Sequence, residues 1–288
     1  LAIGWWCGRV GPRIAYPCLL LAGALPVIGI AFAQDFWSFL ILRALIGAIG
    51  ASFVVTQYHT SLMFAPNCVG TANATTAGWG NLGGGVVQIV MPLVFGLLVG
   101  TVGLSESLSW RACMVAAGVA CAAMGGAYFF LTQDTPLGNF RALGRGSAEE
   151  KPAAAAAFRE ACGDRRVWAL FLAYAACFGV ELTINNVAML YLLDYFEYFR
   201  SLERVSALQT AGAIAASFGL MNLFARTLGG WFGDQFGRVR GRSGRVKWLF
   251  LALFGEGLAL MLFSQAYTLL AAVPLLIVFS LFVQMSEG

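Results

Sequence analysis

Eight long apolar runs, separated by short charged or glycine-rich stretches, constrain this sequence more than any other feature. A helix needs about 20 predominantly apolar residues to cross a lipid bilayer. The eight runs lie at residues 13–33, 36–64, 70–100, 111–131, 166–193, 206–232, 247–266 and 269–288. The sequence therefore predicts an all-α polytopic membrane protein with eight transmembrane helices.

The composition supports a membrane protein and excludes an ordinary soluble one. Hydrophobic residues make up 59% of the chain and charged residues 11%, against roughly 45–50% and 25% in soluble domains. A transmembrane β-barrel fits poorly, because its strands are short segments of alternating hydrophobicity. The expected surroundings of this chain are therefore a lipid bilayer.

The sequence shows none of the patterns that support catalysis. It has no nucleophile beside a base, no phosphate-cradling loop with a lysine and no second ligand at metal spacing from its single histidine, His59. We therefore expect no enzyme, no cofactor and no metal site. The net charge of +4 comes mostly from loop residues, so we expect no nucleic acid partner either.

The loop charges predict which ends of the spans face the cytoplasm. Residues 1–12, 132–165 and 233–247 fall on one side by alternation and hold eleven of the eighteen Lys and Arg residues, and Arg166 follows directly after the second range. The loops on the opposite side hold only Arg111, Arg200 and Arg204. Because cytoplasmic loops carry the excess of basic residues, we assign the first set to the cytoplasm of a multi-pass protein of the cell (plasma) membrane.

A short internal repeat indicates two related halves. Residues 4–11, Gly-Trp-Trp-Cys-Gly-Arg-Val-Gly, reappear 226 positions later as residues 230–237, Gly-Trp-Phe-Gly-Asp-Gln-Phe-Gly. Glycines permit a tight turn between two helices in each copy. Parallel repeats of this kind are typical of secondary transporters. We expect an N-terminal half at 1–133, a central cytoplasmic loop at 134–165 and a C-terminal half at 166–288.

The repeated segment resembles the G-x-x-x-D-R-x-G-R signature of the major facilitator superfamily. Asp234 supplies the acidic residue in the second copy, whereas residues 7–13 of the first copy have none. The resemblance implies a fold of twelve transmembrane helices, of which this chain holds about eight. The N-terminal half would then run from the end of span 2 to span 6 and the C-terminal half would hold spans 7 to 10, so we expect an internal piece of a longer protein.

Two arginines, Arg43 and Arg226, fall inside predicted spans, where a charge is costly unless it has a partner or faces an aqueous cavity. The planar guanidinium of Arg226 suits a small planar oxyanion. The alternative for Arg226 is an ion pair with Glu181 or Glu256. Arg43 is followed by small residues at helix-packing spacing, which favours a structural or gating role over direct ligand contact.

Polar residues on the fifth span are candidates for gating or proton coupling. Glu181 and Asn185 lie one helical turn apart. A carboxylate inside the membrane could bind a proton reversibly and couple its movement to that of an anion. The alternative is a permanently ionised partner for Arg43 or Arg226.

The third span carries the most specific pattern, a glycine-rich run with amides at helical spacing. Asn73, Asn81 and Gln88 share one stripe of the helix. The glycines of the run are Gly78, Gly80, Gly83, Gly84 and Gly85. Close packing of helices would explain the glycines, but it leaves the amides on a single stripe unexplained.

This run is similar to the nitrate signature of the nitrate/nitrite porter family, and most like the eukaryotic high-affinity transporters of plants, algae and fungi. Further matching segments are Gly50–Phe53, Gln57, Trp110–Arg111, Gly179–Leu182 and Phe218–Arg226. In that family one arginine from each half clamps the anion, an asparagine donates to it and aromatic rings cover its flat face. The resemblance assigns these roles here to Arg226, Asn81 and Phe53.

The resemblance implies secondary transport of nitrate and nitrite by alternating access, coupled to protons. Some eukaryotic relatives work with a separate single-span accessory protein, which is a further partner to expect. Two alternatives stay open at this point. One is the transport of another small anion on the same fold, and the other is a membrane sensor that binds nitrate without moving it.

The repeat predicts the position of the second clamping arginine. Subtracting the 226-residue offset from Arg226 leads to the position immediately before Leu1. We expect an arginine there in the full-length protein. Determination of the upstream codon checks this placement, and a neutral residue would refute it.

Overall fold

The computed structural model describes residues 2–65, 68–144 and 159–287, and this part of the chain is almost entirely helical. The helices are α1 (Ala2–Val10), α2 (Pro12–Gly29), α3 (Phe36–Gly47), α4 (Ser52–Met63), α5 (Val69–Gly100), α6 (Glu106–Leu131), α7 (Arg165–Tyr195), α8 (Glu197–Arg200), α9 (Arg204–Leu220), α10 (Ala225–Arg240), α11 (Arg242–Ser264) and α12 (Leu269–Ser286). Short 3₁₀ turns cover Ile30–Phe32, Ala48–Ala51 and Met221–Leu223.

Eight helical stretches within these ranges are long and apolar enough to cross a membrane, which confirms the predicted number. They are Pro12–Phe32, Phe36–Met63, Ala72–Gly100, Glu106–Leu131, Arg165–Tyr195, Arg204–Arg240, Ser243–Ser264 and Leu269–Ser286. The sixth stretch differs most from its prediction. It continues to Arg240 rather than ending near residue 232, because the second copy of the repeat is helical.

The structure forms two compact units, Leu1–Thr76 with Leu97–Ala153 and Ala77–Gly96 with Ala154–Gly288. The middle of α5 thus groups with the C-terminal helices. The predicted halves, 1–133 and 166–288, and the loop at 134–165 stay a prediction. Residues 145–158 of that loop lie outside the described residues.

The first unit is built on close packing of α1, α2, α4 and α6. Cys7, Ala15, Leu19 and Val55 form its buried apolar cluster. The packing of α6 against α2 depends on Gly118, because a Cβ atom there would lie 2.4 Å from the side chain of Ile28. Small residues let two helix backbones approach in this way.

Polar side chains close several helix ends. Asp35 caps α3 by accepting a hydrogen bond from the backbone of Ser38 at 2.9 Å. This bond holds the pKa of the exposed Asp35 carboxyl below its usual range. Arg111 donates to the carbonyls of Ala31 and Ala33 after α2, which satisfies acceptors that a helix end leaves unpaired.

The turn between α1 and α2 receives its acidic partner from a distant part of the chain. Gly11 adopts φ 91° and ψ 147°. Asp134, which is 2% exposed, accepts the backbone N–H of Arg13 and that of Phe140, both at 2.8 Å. The first copy of the repeat therefore has no acidic residue in its own sequence, but the folded chain places the carboxylate of Asp134 at its turn.

The second copy of the repeat turns one helical turn later than expected. Gly237 lies inside α10, and the reversal occurs at Gly241, where φ is 61°. Asp234 forms an exposed ion pair of 2.8 Å with Arg245 across this turn. The extra turn of helix brings α10 and α11 so close that a Cβ on Gly244 would lie 2.0 Å from the carbonyl oxygen of Phe236.

The second unit has a larger apolar core and a glycine contact between α5 and α9. Phe218, Phe279 and Val283 are among its fully buried side chains. A Cβ on Gly219 would lie 2.4 Å from the backbone nitrogen of Gly85. Both helices therefore pack with backbone against backbone, and any larger side chain at these glycines would separate them.

Gly11→Ala in the full-length protein is expected to lower its apparent melting temperature. The substitution forces a non-glycine residue into a backbone region that costs about 1–3 kcal/mol, and its Cβ would lie 2.4 Å from the Asp134 carboxylate. Thermal unfolding in detergent, followed by size-exclusion chromatography, measures the effect.

Gly126→Ala is the matched control, because Gly126 lies within α6 and no atom of the described residues would lie within 4 Å of an added Cβ. It should leave the melting temperature unchanged or raise it. Equal melting temperatures for the two variants would contradict the role assigned to Gly11.

Candidate functional site

The sixth span is interrupted close to its middle. Helix α9 ends at Leu220, a 3₁₀ turn follows, and Phe224 has non-helical backbone angles of φ −129° and ψ −26° before α10 begins. Arg226 therefore lies in the first turn of α10. Interrupted helices of this kind form the substrate sites of many secondary transporters.

Arg226 is a buried cation held by three side chains. It is 3% exposed, and its Nε donates to Oδ1 of Asn222 at 2.7 Å. Its Nη2 donates to Oε2 of Glu181 at 3.0 Å and also contacts Oε2 of Glu287. The structure thus contains the ion pair with Glu181 that the sequence left open as the alternative for Arg226.

Amides complete the network around Glu181. Asn222 Nδ2 donates to Oε1 of Glu181 at 3.0 Å, and Gln284 Nε2 donates to the same oxygen at 3.3 Å. Glu181 therefore accepts three hydrogen bonds in a site where it is 2% exposed. Glu256, the other predicted partner of Arg226, instead accepts from the hydroxyl of Ser286 at 3.3 Å.

The signature helix passes directly beside this network. A Cβ on Gly78 would lie 3.1 Å from the carbonyl oxygen of Asn222 and 3.8 Å from Cδ of Arg226. Gly84 lies against the amide of Asn185, at 3.5 Å from an added Cβ, and Gly85 contacts the backbone of α9. Three of the five predicted glycines are therefore close-contact positions within the second unit.

The other two glycines, Gly80 and Gly83, behave differently. No described atom would lie within 4 Å of a Cβ at either position. Packing in the described part of the chain thus does not account for them.

The amides of α5 and α7 carry unused hydrogen-bonding atoms. Asn81 Nδ2, Gln88 Oε1 and Asn185 Oδ1 are buried and meet no partner among the described residues. Gln88 Nε2 donates to the backbone oxygen of Asn185 at 2.8 Å. Since Asn81 is three residues after Gly78, it lies on the same side of α5, about one turn from the contact with Arg226.

Asn73, predicted on the same stripe, lies in the first unit and has a packing role there. Its Nδ2 donates to the hydroxyl of Ser61 at 3.0 Å, and its backbone oxygen accepts from Gln57 at 3.4 Å. These bonds join α5 to α4. Asn73 Oδ1 is also buried and meets no partner among the described residues. The two amides therefore differ in their nitrogens, since Nδ2 is paired in Asn73 and unpaired in Asn81.

Phe53 and Arg43 also belong to the first unit. Phe53 is half-buried in the first turn of α4, and Arg43 is exposed on α3. Their predicted roles in anion contact and in gating stay predictions.

Asn222, Glu287 and Gln284 are the members of the network that the sequence analysis missed as site residues. Asn222 had a usable signal, since it precedes Arg226 by four residues and so lies one helical turn away. The two side chains near the end of α12 had none, because Glu287 reaches Arg226 from 61 positions away and Gln284 reaches Glu181 from 103 positions away. Among the described residues, no group of three or more His, Cys, Asp or Glu side chains could hold a metal ion.

The chain matches the family model of the Major Facilitator Superfamily over residues 1–286. It is 36% identical over 288 residues to "High affinity nitrate transporter 2.5" of Arabidopsis thaliana, covering 100% of this chain and 56% of the relative. It is 34% identical over 293 residues to "Nitrate transporter 2.2" of Chlamydomonas reinhardtii, covering 100% and 55%. The chain thus spans just over half the length of these relatives.

A solved structure shows the same fold. The inward-facing, unoccupied crystal structure of a bacterial homologue of the human lysosomal transporter Spinster aligns with a TM-score of 0.68 at 16% identity, covering 100% of this chain and 62% of that one. At this identity the likeness concerns the fold.

Proposed function

Because the chain belongs to the major facilitator superfamily, as its sequence predicted, we propose that the full-length protein is a secondary transporter of nitrate and nitrite in the plasma membrane. Curated relatives from a flowering plant and an alga are named as nitrate transporters. Alternating access, the transport mode expected from the sequence, is part of this proposal.

The pairing of a buried guanidinium with an unused amide donor is the observation that carries the proposal. Among the Lys and Arg side chains that the structure describes, Arg226 alone is buried. Asn81, on the adjacent face of α5, has a buried N–H group without an acceptor. A small planar anion with three oxygens can accept hydrogen bonds from both groups. The guanidinium balances its charge, and the neutral amide adds a donor without burying a second full charge.

Coupling to protons follows from the electrical work of uptake. Moving one negative charge inward against a potential of 100 mV costs about 2.3 kcal/mol. Co-transport of at least one proton per anion removes this cost. We therefore include proton symport in the proposed function.

The single buried arginine argues against larger anions. A dianion such as an organic phosphate would require more basic side chains than the described residues place in the interior. A measurement of nitrate flux distinguishes a transporter from a sensor that binds nitrate without moving it.

Full-length protein in proteoliposomes is expected to take up nitrate faster when the pH gradient favours proton entry. Arg226→Lys should weaken nitrate binding by roughly 10- to 100-fold and slow uptake, because each hydrogen bond to a charged group contributes about 1.5–3 kcal/mol and lysine cannot reproduce the planar fork. Isotope uptake and calorimetric titration measure the two effects.

Arg200→Lys is the control for this substitution, since Arg200 is exposed and its Nη2 donates to the backbone carbonyl of Asp194 in the last turn of α7. Binding without uptake by the wild type would identify a sensor. Wild-type affinity in Arg226→Lys would contradict the site. The same assay without a second protein shows whether a single-span accessory subunit is required.

Asn81→Leu is expected to weaken nitrate binding while leaving the unliganded protein as stable as the wild type or more stable. The substitution removes a buried donor that has no acceptor, and such a group is itself destabilising. Asn73→Leu should show the opposite pattern, because it breaks the bond to Ser61. Melting temperatures and nitrate titrations of both variants test this, and a pattern shared by both would contradict it.

A further inference from the structure

We propose that Glu287 is the group that binds the coupled proton, and that its carboxylate competes with the transported anion for Arg226. The inference rests on the proposed function and adds a residue and a mechanism to it. It starts from an imbalance of charge around one buried guanidinium.

Two carboxylates contact the same nitrogen of Arg226. Glu181 Oε2 lies 3.0 Å from Nη2, and Glu287 Oε2 contacts the same atom. The side chains are 2% and 0% exposed respectively. A single guanidinium therefore neutralises one of two buried carboxylates, and the second adds an uncompensated negative charge.

The surrounding groups do not supply the missing positive charge. Glu256, 6% exposed, is connected through the hydroxyl of Ser286. Cys177 Sγ lies 3.6 Å from Oε1 of Glu287. Tyr174 is close enough to Glu287 for the two groups to interact electrostatically. All of these groups are neutral or negative. Since an unpaired buried charge is strongly unfavourable, a proton must bind to this cluster.

Hydrogen bonding assigns the proton to Glu287 rather than to Glu181. The carboxylate of Glu181 accepts from Arg226, Asn222 and Gln284, and three donors stabilise its ionised form. Glu287 accepts from Arg226 and from the weak thiol donor of Cys177. Of two carboxylates sharing one cation, the one with fewer donors is protonated first.

Protonation would exchange one partner of Arg226 for another. A proton from solvent binds to a carboxylate oxygen of Glu287, and the neutral acid no longer competes for Nη2. The freed N–H group then donates a hydrogen bond to nitrate, so that one proton and one anion enter with no net change of charge. Loss of the anion lets Glu287 release its proton and bind Arg226 again.

The test is the pH dependence of nitrate binding to the full-length protein in detergent. If one proton must bind with each anion, the wild-type Kd rises about tenfold per pH unit once Glu287 is ionised. Glu287→Gln should bind nitrate with a Kd that is nearly independent of pH, and more tightly than the wild type at high pH. Calorimetric titration over about three pH units measures both slopes.

Glu256→Gln is the matched control, because Glu256 is a buried carboxyl group of the same cluster that does not contact Arg226. It should retain the wild-type slope. A wild-type slope in Glu287→Gln, or a slope lost only in Glu256→Gln, would overturn the assignment.

A second measurement needs no variant and covers the case in which Glu287→Gln does not fold. Addition of nitrate to weakly buffered wild-type protein at high pH should take up about one proton per anion bound. Nitrate binding without proton uptake overturns the inference and leaves the proposed function intact. Failure of the wild type to bind nitrate at any pH contradicts the proposed function itself.

Discussion

The need to pair one buried positive charge organises the second unit. Arg226 is 3% exposed, and its hydrogen bonds reach α7, the 3₁₀ turn before α10 and the end of α12. Removing one partner of a buried ion pair is far more destabilising than replacing the whole pair, because it leaves a charge without compensation. The helices that carry these partners are therefore held together by a polar contact, although most of their surface is apolar.

Glycine makes this polar contact possible by bringing backbones close together. Two contacts place α5 directly against the interrupted sixth span. Gly85 contacts Gly219, and Gly78 contacts the carbonyl of Asn222. In a membrane, the hydrophobic effect does not drive one helix toward another, so close packing and hydrogen bonds have to do so. The polar amides of α5 reach the network because its small residues leave no layer of side chains between the helices.

The sequence predicted the features that depend on local residue patterns. It missed the contacts between residues that lie far apart in the chain. Apolar length alone located the eight spans, and the cost of a buried charge identified Arg226 and Glu181 as a candidate pair. Nothing in the sequence indicated that Glu287 meets Arg226, because 61 residues separate them. The turn of the second repeat copy lies at Gly241, inside the predicted loop at 233–247 but four residues after the repeated Gly237, because α10 continues to Arg240.

The hydrogen bonds of Asp134 show how far along the chain the first unit extends. Its last span ends at Leu131, yet the acceptor for the first turn of α2 comes three residues later and is itself fixed by the backbone of Phe140. A boundary drawn at the end of the span would separate the turn from the only acid that the described residues place there. The unit that begins with α1 is complete only once the chain has passed Phe140.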